Sequence, residues 1–304
     1  MTGVNDELRR LDAELARRAG AYLRYATEEG PALVEHHGQP PAELVDRLLD
    51  LYARPDGCFL DVGCGAGHTL CRLAPRVREA WGIDMSETPL EATRLRAEAV
   101  GLTNVTVVHG NTVERADADR LPDGRFALAL SRRGPNFNEH LVRKLEPGAY
   151  VVQELVGGAD CADLRELLGR RAVSLYHETG HDGTIRGYAR LGLFPITSTE
   201  FFFEDIFRDV DHLEAYLKQT PANVSDWRFG PKPYVPERDR SALELYAGYH
   251  GTPKGIRLLR HRWVFSLRRV EPPRYPVDSL EGPTDEGTQL LTPRGAKPVA
   301  PGDH

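Results

Sequence analysis

Apolar residues recur along the first segment at helical spacing: Leu8, Leu11, Leu15, Ala19 and Tyr22, with Arg9, Arg10, Arg17 and Arg18 on the other positions. That period predicts an amphipathic helix. Gly30-Pro31 and Gly38-Gln39-Pro40-Pro41 punctuate the chain, and Leu44, Val45, Leu48, Leu49 and Tyr52 mark a second helix that ends before Pro55-Asp56-Gly57. Residues 1–55 thus read as an N-terminal helical cap. From Cys58 the pattern changes to short apolar runs alternating with helix-period segments. Strands are predicted at 58–62, 80–84, 105–108, 126–131 and 150–153. Helices between them carry Leu70, Leu73 and Val77, the span 90–100, and Phe137, Leu141, Val142 and Leu145. Strands separated by helices favour parallel crossovers, hence an α/β, doubly wound, mostly parallel sheet with helices on both faces.

Beyond Glu154 the pattern loosens. A helix is expected over 184–191, an aromatic strand over 196–207, a helix with Leu213, Tyr216 and Leu217, a further helix near 243–249, and a last strand over 262–267. The intervening stretch around 211–255 reads as a lid insertion in a core spanning 56–270. Residues 271–304 hold seven prolines, four glycines and one aromatic. Such a composition buries too little surface to offset chain entropy, so a disordered tail is expected.

Charge narrows the partner class. A formal net charge of −6 gives no global basic field for a phosphate backbone, so a small-molecule substrate is favoured over nucleic acid. Cys58, Cys64, Cys71 and Cys161 lack C-x-x-C spacing and predict free thiols in a reducing compartment. The N-terminus has neither a basic n-region nor an apolar h-region, and no apolar run reaches membrane-spanning length, so a cytoplasmic location is expected and no membrane partner. Oligomeric state is not legible.

The strongest local signal is Asp61-Val62-Gly63-Cys64-Gly65-Ala66-Gly67, leaving a predicted strand and entering a predicted helix. Glycines there allow a tight turn and close approach of a ligand, and a helix N-terminus offers unpaired N–H donors. Asp84 ends the next strand, where an acid can accept hydrogen bonds from both ribose hydroxyls of a nucleoside. A nicotinamide or flavin site would place a third glycine at position 68, where His68 stands, which weakens a dinucleotide reading.

On these residues the chain resembles the class I S-adenosylmethionine-dependent methyltransferases, in particular the small-molecule group often called type 11-like. The resemblance spans about residues 40–155 and extends faintly to about 270. It implies a Rossmann-like seven-stranded sheet and S-adenosyl-L-methionine as cofactor. It also implies that Gly63, Gly65 and Gly67 wrap the methionine part with Asp61 near its amino group, that Asp84 holds the ribose, and that Met85 packs on the adenine. Where relatives carry an acid for the adenine amino group this chain has Asn111, whose carbonyl can accept the same bond. Ser131 at the carboxyl end of the fourth core strand completes the expected cofactor set.

For the acceptor side, Arg132 and Arg133 lie at the sheet edge where open α/β sheets bind ligands, and either bind an acidic substrate group or form ion pairs. Trp227, with Tyr234 and Tyr249, is a candidate aromatic lid. Methyl transfer needs alignment more than a base; if a base acts, Glu154 and His177 are the candidates by topology. His177-Glu178-Thr179-Gly180-His181 matches the H-E-x-x-H zinc pattern, but Gly180, Asp182 and Gly183 oppose the helix it needs, so no metal is expected. The competing readings are an RNA methyltransferase and a noncatalytic adenosyl-ligand-binding protein, since fold does not establish turnover.

Overall fold

The computed structural model describes residues 32–36, 38–170, 175–219, 224 and 234–270, with backbone alone for 175–180 and 219. The first predicted helix, Trp227 and the 271–304 tail lie outside the described residues. The elements run β1 (Leu33–His36), α1 (Pro41–Tyr52), β2 (Cys58–Val62), α2 (His68–Leu73), β3 (Glu79–Asp84) and α3 (Glu87–Ala99). They continue with β4 (Val105–His109), α4 (Arg115–Ala118), β5 (Phe126–Arg132), α5 (Glu139–Lys144), β6 (Leu145–Val156) and α6 (Ala162–Leu167). The last third holds α7 (Leu175–Arg190), β7 (Leu193–Phe207), α8 (Val210–Gln219), α9 (Pro236–His250), β8 (Gly251–Thr252) and β9 (Gly255–Arg269).

All nine strands join one sheet, ordered β1-β7-β9-β6-β5-β2-β3-β4 with β8 on β9. Strands β2 to β6 pair in parallel. The long β7–β9 hairpin adds antiparallel pairing to β6. The order reverses between β2 and β5, which places a crevice at the carboxyl ends of β2 and β5, where such sheets take ligands. Strand β2 is buried at all five positions, as a central parallel strand requires.

Alternation along the strands splits the core in two. Val45, Leu48 and Leu49 of α1 and Leu70 and Leu73 of α2 pack on Phe59, Leu128, Val152 and Val264 on one face. Leu141 and Val142 of α5 and Tyr188 of α7 pack on Leu60, Ile83, Val151 and Phe265 on the other. A third apolar cluster joins Leu164 of α6, Leu213 and Leu217 of α8 and Leu243 and Tyr246 of α9 to Phe207 and Leu258 at the far ends of β7 and β9. The described residues of the expected 211–255 lid thus contribute to an apolar cluster shared with α6, β7 and β9.

Three differences from the sequence reading have physical causes. Residues 33–36, expected within the helical cap, form a strand against β7, and α1 covers the sheet as part of the core. A four-residue edge strand offers too few alternations to be seen in the pattern. Helix α7 begins at 175, not near 184, and so runs through Gly180 and Gly183 in spite of a helix penalty of about 1 kcal/mol for each glycine; its second half packs Ile185 and Tyr188 on the sheet. The sheet has nine strands, not seven, the extra pair being the peripheral β1 and β8.

Candidate functional site

Gly63, Gly65 and Gly67 all hold positive φ, at 74°, 53° and 74°, a backbone that other residues adopt at a cost of about 1–2 kcal/mol. Their roles differ. A Cβ on Gly67 would lie 2.5 Å from Thr93 Cγ2, so this glycine lets α3 close on the loop. A Cβ on Gly65 meets nothing within 4 Å, so open space lies in front of it. Gly63 abuts Gly134 of the loop after β5, where an added Cβ would stand 3.4 Å from the Gly134 Cα.

The loop's donors are largely committed. Gly63 and Cys64 N–H donate to Ile83 O at 2.8 and 3.2 Å, and Gly67 N–H donates to Cys64 O at 3.0 Å. Gly65 N–H donates to Asp84 Oδ2 at 2.9 Å. Expected ligand-facing N–H groups thus secure the turn, and what the loop presents is space. Two supports were invisible in the pattern, because α3 reaches the loop across 28 and 30 residues of chain. Thr93 Oγ1 donates to Gly65 O at 2.8 Å, and Arg96 Nε donates to Ala66 O at 3.1 Å.

Asp61 is the unusual group. It is 3% exposed and accepts no hydrogen bond from any described residue. Burial pushes its carboxyl from the usual 3.8 to about 7, with Arg132 pulling down and Asp84 pushing up. A buried carboxyl without a donor is costly to ionise until a cation or donor arrives. Asp84, at the end of β3, uses one oxygen on Gly65 N–H and the other on Ser86 N–H at 2.9 Å. Each carboxylate oxygen has a second lone pair, so capacity for two hydroxyls remains. Met85 beside it is 70% exposed.

Other expected residues stand differently. Asn111 Oδ1 accepts from Val113 N–H at 3.1 Å, so its carbonyl first closes a local turn, and its own N–H donates to Asp117 Oδ2 at 2.8 Å. Ser131 is fully buried and donates to Pro135 O at 2.7 Å; it shapes the loop after β5 and is not exposed to a ligand. Glu154 does not stand as a free base. It is 2% exposed, accepts from Arg132 Nε at 2.7 Å, and lies 3.7 Å from both Arg133 Nε and Arg262 Nε. Both of its oxygens face guanidinium groups, which marks it as a charge partner within the sheet.

The His177 side chain lies outside the described residues. The H-E-x-x-H segment does run along α7, contrary to the helix argument made from Gly180, Asp182 and Gly183. His181 Nε2 lies 2.5 Å from Ser198 Oγ and its ring packs 4.7 Å from that of Trp263. Among the described residues no cluster of metal-ligating side chains occurs. Tyr234, expected in a lid, is 5% exposed and donates to Glu214 Oε1 at 2.7 Å, whereas Tyr249 is 73% exposed. All four cysteines are free and buried, and no described helix is long and apolar enough to cross a membrane.

Comparison with known proteins agrees with this layout. Residues 59–146 match a family model described as a methyltransferase domain. The chain is 32% identical over 129 residues to the 2-heptyl-1-hydroxyquinolin-4(1H)-one methyltransferase of Mycobacteroides abscessus, covering 38% of this chain and 52% of that protein. It is 30% identical over 100 residues to the tRNA/tmRNA (uracil-C(5))-methyltransferase of Azotobacter vinelandii, covering 33% and 27%. The chain thus spans about half or less of the length of these curated relatives. Among solved structures, the YcgJ protein of Bacillus subtilis matches with a TM-score of 0.53 at 14% identity over 76% of this chain and 99% of that one, a likeness of fold.

Proposed function

We propose that residues 59–146, which match a methyltransferase-domain model, form a class I, S-adenosylmethionine-dependent domain and that the chain is a cytoplasmic enzyme that methylates a small-molecule acceptor. One observation carries the reading: the enclosed, donor-less carboxyl of Asp61 behind a glycine loop with open space at Gly65. An α-ammonium group is the partner such a carboxyl lacks, and S-adenosylmethionine carries one. Asp84 would hold the ribose hydroxyls and Met85 would cover the adenine. Gly63 and Gly65 leave room for the methionine part.

When bound, the cofactor supplies a methyl group made electrophilic by its cationic sulfur. The protein's part is to align the acceptor with that methyl and to keep water out. Glu154, locked among arginines, is not used as a base in this scheme. A nucleic-acid acceptor, the printed substrate class of one relative, fits less well, because the net charge of −6 gives no general basic field for a phosphate backbone.

Calorimetric titration of the full chain with S-adenosylmethionine, S-adenosylhomocysteine and NAD tests this. Saturable binding of both adenosyl ligands and none of NAD is expected, followed by methyl transfer to members of a small-acceptor panel. Absence of adenosyl binding would overturn the reading.

A further inference from the structure

Between the apolar cluster of α1 and that of α6, α8 and α9, the same face of the sheet carries a seam of charge. Arg260 Nε donates to Asp160 Oδ1 at 3.0 Å, and its Nη1 donates to Asp205 Oδ2 at 3.0 Å. Arg262 donates to the same Asp160 oxygen and approaches Glu154. Burial pushes the Asp160 carboxyl up, but Arg260 and Arg262 outweigh it and hold it below the usual carboxylate range. Arg165 Nη2 donates to Gly158 O at 3.1 Å, while its Nη1 is enclosed without a partner.

The seam does not balance. Among the described residues five guanidiniums, of Arg132, Arg133, Arg165, Arg260 and Arg262, face four carboxyls, of Asp61, Glu154, Asp160 and Asp205. Three of those arginines are 3% exposed, where surplus charge is not relieved by water. The most exposed guanidinium of the seam is that of Arg133, whose side chain is 54% exposed against 28% for Arg132 and whose nearest carboxylate oxygen lies 3.7 Å away. Arg133 also holds φ at 57°, a left-handed backbone rare outside glycine and asparagine, fixed by its N–H bond to Glu154 O at 2.9 Å. Its neighbour Gly134 touches Gly63 of the cofactor loop. Arg133 is therefore the chain neighbour of the residue at which the two loops that frame the crevice meet.

We infer that Arg133 binds an oxyanion, carboxylate or phosphate, of the methyl acceptor, so that the enzyme acts on acidic small molecules. This rests on the methyltransferase reading above for the word acceptor, and on the charge seam for the anion.

The test uses the full chain, wild type, Arg133→Asn, which tolerates the same backbone, and Arg133→Lys, which keeps the charge. Benzoate and inorganic phosphate are titrated separately at constant ionic strength made up with chloride, and S-adenosylhomocysteine is titrated into each variant. Saturable binding of at least one oxyanion by wild type is expected. It should be weakened tenfold or more in Arg133→Asn and retained in part by Arg133→Lys, with S-adenosylhomocysteine affinity unchanged. Benzoate binding alone names a carboxylate source, and phosphate binding alone a phosphate source. No saturable oxyanion binding, or equal binding by Arg133→Asn, overturns the inference while leaving adenosyl binding intact. Loss of adenosyl binding in wild type with the oxyanion result intact would instead overturn the methyltransferase reading.

Discussion

Acidification should weaken S-adenosylhomocysteine binding through Asp61. The carboxyl, pushed by burial to about 7, is largely protonated in the free protein below neutrality. A ligand ammonium attracts the ionised form, so the complex holds Asp61 lower and binding releases a proton. At about pH 5.5, roughly 1.5 units below the midpoint, ionisation costs about 2 kcal/mol at ~1.36 kcal/mol per unit, an affinity loss of about thirtyfold relative to about pH 8. Calorimetry across that range in two buffers of different ionisation enthalpy reads both the affinity and the proton count. Asp61→Asn should flatten the profile and weaken binding at about pH 8 by about 1.5–3 kcal/mol. The same shift acts on folding. The unfolded carboxyl titrates at 3.8 and the folded one at about 7, so Asp61's contribution to the ligand-free fold is fully present below pH 3.8 and is lost as pH rises through 7. The whole interval is worth about 4 kcal/mol, and the ligand-induced rise in Tm should be larger at alkaline than at acidic pH. A pH-independent affinity in wild type, or wild-type behaviour of Asp61→Asn, would refute the assignment.

Four further substitutions separate fold from site. Gly67→Ala should cost about 2–5 kcal/mol in urea unfolding, from left-handed strain plus overlap with Thr93, whereas Gly65→Ala, facing open space, should cost about 1–2 kcal/mol; equal losses would contradict the distinct roles. Glu154→Gln leaves Arg132 and Arg262 beside a neutral group and should destabilise by about 3–5 kcal/mol in the same assay. Full stability with abolished turnover would restore Glu154 as a base. Asp84→Ala should weaken adenosyl-ligand binding by about 1.5–3 kcal/mol, and unchanged affinity in calorimetry would remove it from the site.

The parallel core was legible because each of its strands is a short apolar run bounded by turn residues, and periodicity at this scale is a local property. Strands β2, β3, β4 and β5 fall within a residue or two of their predicted spans. The glycine loop and Asp84 were legible for the same reason: a left-handed turn restricts residue choice locally, and Asp84 sits at a strand end that the pattern located. The first half of helix α7 and strand β1 were not, since Gly180 and Gly183 interrupt the local helical pattern and β1 exists by pairing with β7 across about 170 residues of chain.

The amino-acid order by itself determined the α/β alternation, the strand-loop-helix carrying Gly63, Gly65 and Gly67, and the acid after the next strand. Tertiary structure alone decided what the acids are worth. Asp61 and Glu154 look alike in sequence, each at the carboxyl end of a core strand, yet one is enclosed without a donor and the other is enclosed among three arginines. The difference comes from Arg262 on β9, 108 positions along the chain from Glu154, together with Arg132 at the end of the adjoining β5 and Arg133 in the loop after it. A carboxyl's chemistry is set by the charges and water within a few ångströms of it, and those neighbours are assembled by strand order, which no local pattern encodes.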